Sequence, residues 1–200
     1  MPAIYEELLP IFDTSDEAAV VVHADAATTW SALLATDLLE VGRSHKLVGG
    51  LSILRALPQI AAGLAHGETP EKMPDSLRLG DMTDDASGDG TWVRLGEREH
   101  EEIDFGLVGK FWKPVIEYRA VPADQFAAFS DPGWAKTIYA FKLTPVEGGT
   151  LLTSVMRTAT TDAHAQKWFR RYWTYGVGSG AHILAAGMVD AARVAAESDS

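Results

Sequence analysis

The end of the chain constrains the fold most. From Thr161-Asp162 to about Glu197, Ala165, Trp168, Phe169, Tyr172, Gly176, Ser179, Ile183, Gly187 and Val194 fall on one helical face. Lys167, Arg170, Arg171 and Thr174 take the other, and either Thr161 or Asp162 can cap the start. A helix of that length must bury its apolar face. The stretch before it is the strongest hairpin signal in the chain: residues 137–144 and 150–159 are β-branched and aromatic, joined by Pro145-Val146-Glu147-Gly148-Gly149. A long amphipathic helix directly after an antiparallel hairpin is satisfied by lying across the sheet.

The upstream elements agree with that layout. Residues 18–23 (Ala-Ala-Val-Val-Val-His) read as a strand. Residues 24–39 carry Trp30, Leu33, Leu34 and Leu38 at helical spacing behind a capping Asp25. A second helical stretch follows Gly49-Gly50, with Pro58 interrupting it, and residues 81–90 form an acidic, turn-rich loop. Residues 91–97 are a strand. Residues 101–112 are another, in which Ile103, Phe105, Leu107 and Phe111 alternate with Glu102, Asp104 and Lys110, so Glu102 and Asp104 are expected on a solvated face. Strands joined by short turns argue for an antiparallel sheet. The expected fold is therefore α+β: a curved antiparallel sheet wrapped around a long C-terminal helix, with two short helices after the first strand. No linker or repeat divides residues 1–200, so one domain is expected, with its core at about 4–196.

Composition narrows function more than it names it. The net charge of −11 opposes binding to nucleic acid, and Lys167, Arg170 and Arg171 form the only compact basic group. No apolar run reaches the roughly 18–20 residues of a membrane span, and the N-terminus has no signal-peptide pattern, so neither a membrane partner nor export is expected. There are no cysteines, which removes disulfides and thiol chemistry and fits a cytoplasmic protein. Oligomeric state cannot be read from these features.

The order of motifs resembles the helix-grip proteins of the START-like (SRPBCC) superfamily. The strand and helix through Ala24-Asp25-Ala26-Ala27-Thr28-Thr29-Trp30 are similar to that superfamily's opening unit. More specific stretches resemble an uncharacterised bacterial SRPBCC group: Leu54-Arg55-Ala56-Leu57-Pro58, Gly106-Leu107-Val108-Gly109-Lys110-Phe111-Trp112, Asp131-Pro132-Gly133-Trp134-Ala135-Lys136 and Arg170-Arg171-Tyr172-Trp173. The chain departs from that group near His182, where an arginine would be expected. The resemblance implies an internal cavity for an apolar or amphipathic small molecule. It covers carriers, polyketide cyclases and non-catalytic proteins alike, so fold alone chooses no function.

The candidate residues follow from this. Histidines at 23, 45, 65, 100, 164 and 182 show no metal-ligand spacing, so no metal is expected. Gly176, Gly178 and Gly180 spell G-x-G-x-G within a helix, the wrong context for a phosphate site, and no cofactor is expected. Glu99, His100, Glu101, Glu102 and Asp104 place carboxylates beside an imidazole, the makings of acid–base chemistry. Arg157 shares the strand face of Val155 and could meet a ligand carboxylate if that face turns toward the helix. Trp134, Tyr139, Phe141, Trp168, Phe169 and Tyr172 are the aromatic stock near the sheet–helix interface. Trp168 and Tyr172 are expected to face the sheet. Between them and Ile183 the helix face holds only Gly176, Ser179 and Gly180, which points to a ligand space of roughly 300–1,000 Å³ at mid-helix. The leading expectation is a non-catalytic small-molecule binder. A cyclase- or dehydratase-like enzyme and a protein-interaction module are the alternatives.

Overall fold

The sheet grows from the hairpin. In a computed structural model of the chain, residues 1–44, 76–82, 92–114 and 116–198 are described. Strands β5 (Ala135–Val146) and β6 (Gly149–Thr160) pair along their whole length. The turn between them is only Glu147-Gly148, with Gly148 at φ +82°, a left-handed conformation that glycine adopts without strain. The remaining strands are β1 (Thr14–Val22), β2 (Trp92–Arg98), β3 (Glu102–Lys110) and the short β4 (Glu117–Tyr118). The six-stranded sheet is antiparallel throughout, in the order β1-β6-β5-β3-β2, with β4 paired to the end of β3. The chain is therefore α+β, with a curved antiparallel sheet and a C-terminal helix.

Helix α1 (Ile4–Leu8) precedes the sheet, and α2 (Ala26–Ala35) follows β1. Asp25 caps α2, its Oδ1 accepting the Thr28 N–H at 2.7 Å. The expected single helix to residue 39 breaks at Thr36, whose ψ of 122° is extended, and resumes as α3 (Leu38–Ser44). Asp37 holds the break, accepting from the N–H groups of Leu39 and Leu77 and so tying the helices to residues 77–79. The Pro58-interrupted helix, residues 83–90 and the motif at 54–58 lie outside the described residues. A single turn, α4 (Ala123–Phe126), lies between β4 and β5.

The C-terminal helix differs from its expected form in one consequential way. It is α5 (Ala163–Tyr172), then a π-helical turn over Trp173–Val177, then α6 (Gly178–Ser198). Asp162 caps α5 through the Ala165 N–H. A π turn accommodates about one extra residue, so a face read at 3.6 residues per turn slips by about one position beyond it. The buried residues of α6 are Gly180, Ala185, Gly187, Met188, Val189, Ala192 and Ala196; of the expected face Gly187 is buried, Ile183 is half-buried and Val194 is exposed. Trp168 is corrected as well: it is 42% exposed, and its neighbour Phe169, at 2%, is the aromatic that packs inward.

Both sheet faces are covered, which the sequence did not anticipate. On one face α2 and α6 pack over Val22, Ile103, Phe105, Phe141 and Leu152, with Trp30 and Leu33 between. On the other, α1 and the segment around α4 bury Val93, Val108, Ile138, Ala140 and Val155 beneath Tyr5, Leu9 and Phe126. That second cover explains why β3 is buried along nearly all its length. Glu102 and Asp104 do lie opposite Ile103 and Phe105. They are nevertheless 2% and 0% exposed rather than solvated, because α1 lies over them.

Candidate functional site

The strand alternation of β3 and β5 aims Phe105, Tyr139 and Phe141 at the face covered by α6. Trp92 on β2 sits opposite Leu107, and so on the same face. Leu184 and Met188, one helical turn apart on α6, come down onto these four side chains. With Leu38, Leu77, Leu79 and Met82 they line a half-open apolar cavity of about 70 Å³. The expected volume is therefore not reached. The cavity is much smaller than the roughly 300–1,000 Å³ of typical ligand pockets, with room for a few waters or a compact apolar group.

Tyr139 stands half-buried in this wall. Burial first, and then nearby Tyr172 and Asp16, push its phenol well above the usual range, so it stays a neutral hydroxyl. Its ring meets Trp92 edge-on, with centroids 5.6 Å apart.

The other sequence candidates are dispersed. Trp134 belongs to the opposite face, half-buried, with the Lys110 ammonium 4.4 Å above its ring. Arg157 is also on the opposite face, so its expected approach to the long helix is corrected. It lies sandwiched between the rings of Tyr5 and Phe12, 4.6 Å from each, and fastens the N-terminal segment to the sheet. Trp168 points outward, with the Arg171 guanidinium 5.3 Å from its ring. Tyr172 packs with Phe169 and Trp173 at the end of the sheet.

Gly176 lies in the π turn, Gly180 is buried, and Ser179 is exposed in a groove beside β1; none of these three lines the cavity. A Cβ on Gly178 would lie 2.9 Å from the Trp173 indole, so that glycine admits a folded-back ring. The cavity itself sits nearer the C-terminus, at Leu184 and Met188.

The acidic group beside His100 does not converge on the cavity. Glu102 accepts the Ile4 N–H at 2.9 Å and pairs with Arg98 at 3.1 Å. Asp104, in register between Gly96 and Ala140, has no hydrogen-bond partner for either oxygen among the described residues. Burial first, then the charge of Glu102, push its carboxyl up to about 8 against the pull of Arg98. Sequence alternation found these two residues but missed their burial, because α1 lies far away in the chain. Leu184 and Met188 were missed for the π turn's shift of face. Among the described residues, no group of three or more potential ligands could hold a metal ion, and no helix is long and apolar enough to cross a membrane.

No family model and no curated protein matches the chain. A solved structure, the protein CV1439 from Chromobacterium violaceum, is similar over 87% of this chain and 96% of its own, at 14% identity and a TM-score of 0.30. A likeness that slight carries no argument.

Proposed function

We propose that the chain binds the apolar part of a small apolar or amphipathic molecule between its sheet and its C-terminal helix, without catalysing a reaction there. The observation that carries this reading is the apolar cavity walled by Trp92, Phe105, Tyr139, Phe141, Leu184 and Met188. Filling an apolar space of this kind gains dispersion contacts with its walls. The resemblance of the motif order to START-like, helix-grip proteins supports the same reading. At about 70 Å³ the cavity suits a short alkyl end or part of one ring, not a whole lipid.

Native mass spectrometry of freshly purified protein, repeated after solvent extraction, tests this. The reading expects a small-molecule adduct that extraction removes and that Leu184→Trp, which fills the cavity, fails to retain. An adduct held equally by Leu184→Trp would place the ligand elsewhere.

A further inference from the structure

A second concavity lies between edge strand β1 and the start of α6, and it shares no lining residue with the apolar cavity. It is an open groove of about 520 Å³, formed by Ser15 and Asp16 of β1, Trp173 and Thr174 of the π turn, and Ser179 and His182 of α6. The π turn is itself notable here. Its hydrogen bonding is poorer than that of an α-helix, and such turns recur where a helix has been adapted to a site.

In the groove, His182 Nδ1 lies 3.1 Å from both oxygens of Asp16. Alternation turns Asp16 toward the helix, and its side chain is only 20% exposed, while that of His182 is 53% exposed. A carboxylate can only accept, so Nδ1 donates, and in the neutral ring Nε2 carries the lone pair. No described residue bonds Nε2. An imidazole oriented by a carboxylate through one nitrogen, with the other open to a groove, is arranged as a general base. The exposed hydroxyls of Thr174 and Ser179 also line the groove as neutral donors, while Ser15, next to Asp16 on β1, turns to the other sheet face. Ser179 makes no hydrogen bond to the ring, so it is placed to bind a ligand and not to serve as the nucleophile. Asp16, on a chain of net charge −11, disfavours an anionic substrate.

We propose that this groove is an acid–base site for a small neutral carboxylic ester. His182 Nε2 takes a proton from water as the water oxygen bonds to the ester carbonyl carbon. The resulting oxyanion accepts hydrogen bonds from the groove hydroxyls. The carbon–oxygen bond to the leaving group then breaks, and the leaving oxygen takes the proton from Nε2, which returns the imidazole to its neutral form. Water and ester give acid and alcohol. His182 is the catalytic residue, and Asp16 is a positioning residue that fixes the ring's tautomer.

The test is the steady-state hydrolysis of 4-nitrophenyl acetate by the full chain. The proposal expects saturation with ester and a fall in kcat of roughly a hundredfold in His182→Gln. Asp16→Asn should lower kcat while leaving KM little changed, because only the ring's orientation is lost. Ser179→Trp, at an exposed helix position, should block the groove with an unchanged unfolding midpoint. His164→Gln, an exposed imidazole outside the groove, should hydrolyse like the parent. A rate that rises linearly with ester in the parent, or that survives in His182→Gln, overturns the proposal. Should His182→Gln fail to fold, the Ser179→Trp result decides alone: retained saturable turnover there overturns it equally. Leu184→Trp fills only the apolar cavity, so this outcome is independent of whether that cavity binds anything.

Discussion

Replacing Asp104 by asparagine should make the protein more stable at neutral and alkaline pH, by an amount the structure sets. The carboxyl is fully buried between Gly96 and Ala140, neither oxygen has a partner among the described residues, and its pKa is raised from 3.8 to about 8. A carboxyl whose folded pKa is raised binds its proton more tightly in the fold than in the unfolded chain. Its unfavourable effect is therefore absent below about pH 4, grows through the window from 3.8 to about 8, and is complete above it. Each pH unit inside that window is worth about 1.4 kcal/mol, which amounts to about 4 kcal/mol at pH 7. Asparagine has nearly the shape of the neutral acid and cannot ionise. Urea unfolding of the parent and of Asp104→Asn, from pH 4.5 to 8.5, should give curves that nearly coincide at the acid end. They should separate steadily, with the variant ahead by several kcal/mol at the alkaline end. A constant offset, or a variant that is less stable at pH 8, would refute the reasoning and mean that Asp104 has found a counter-charge.

Three other outcomes follow from the packing. Arg157→Ala should cost about 1–2 kcal/mol, since two ring contacts are lost, and should speed amide exchange in residues 3–9 ahead of the rest of the chain. Trp168→Ala should change urea stability by no more than about 0.5 kcal/mol, whereas Phe169→Ala should cost about 3–5 kcal/mol; the reverse ranking would restore Trp168 to the interface. Ala substitution of Gly178 should raise the exposure of Trp173, seen as a red-shifted tryptophan emission, because the new Cβ displaces the indole.

The elements legible in the sequence were those set by local pattern. The β5–β6 hairpin, the Asp25 and Asp162 caps and the alternation of β3 all appear in the fold, because each depends on residues within a turn or two of one another. Three features were not legible, each for a stated reason. The π turn at 173–177 leaves no signature in apolar spacing, so the helix face beyond it was read one position early and Leu184 and Met188 were missed. The cover that α1 gives to the far face joins residues about a hundred positions apart, Ile4 to Glu102, so Glu102 and Asp104 looked like solvent-facing acids. The placement of Arg157 depended on which face the long helix takes, and alternation alone cannot choose a face. Of the six aromatics, Tyr139 and Phe141 line the cavity; the others serve the far face, the end of the sheet or the surface.

The central claim, that the sheet–helix cavity accepts an apolar group, is tested most directly by methyl NMR during a benzene titration. Benzene needs somewhat more room than the resting cavity, and the flexible Met188 side chain can provide it. The account predicts saturable shifts of the Met188 and Leu184 methyl signals, with other methyl groups nearly still and no response in Leu184→Trp. Shifts that never saturate, or that spread evenly over surface methyls in both proteins, would contradict it.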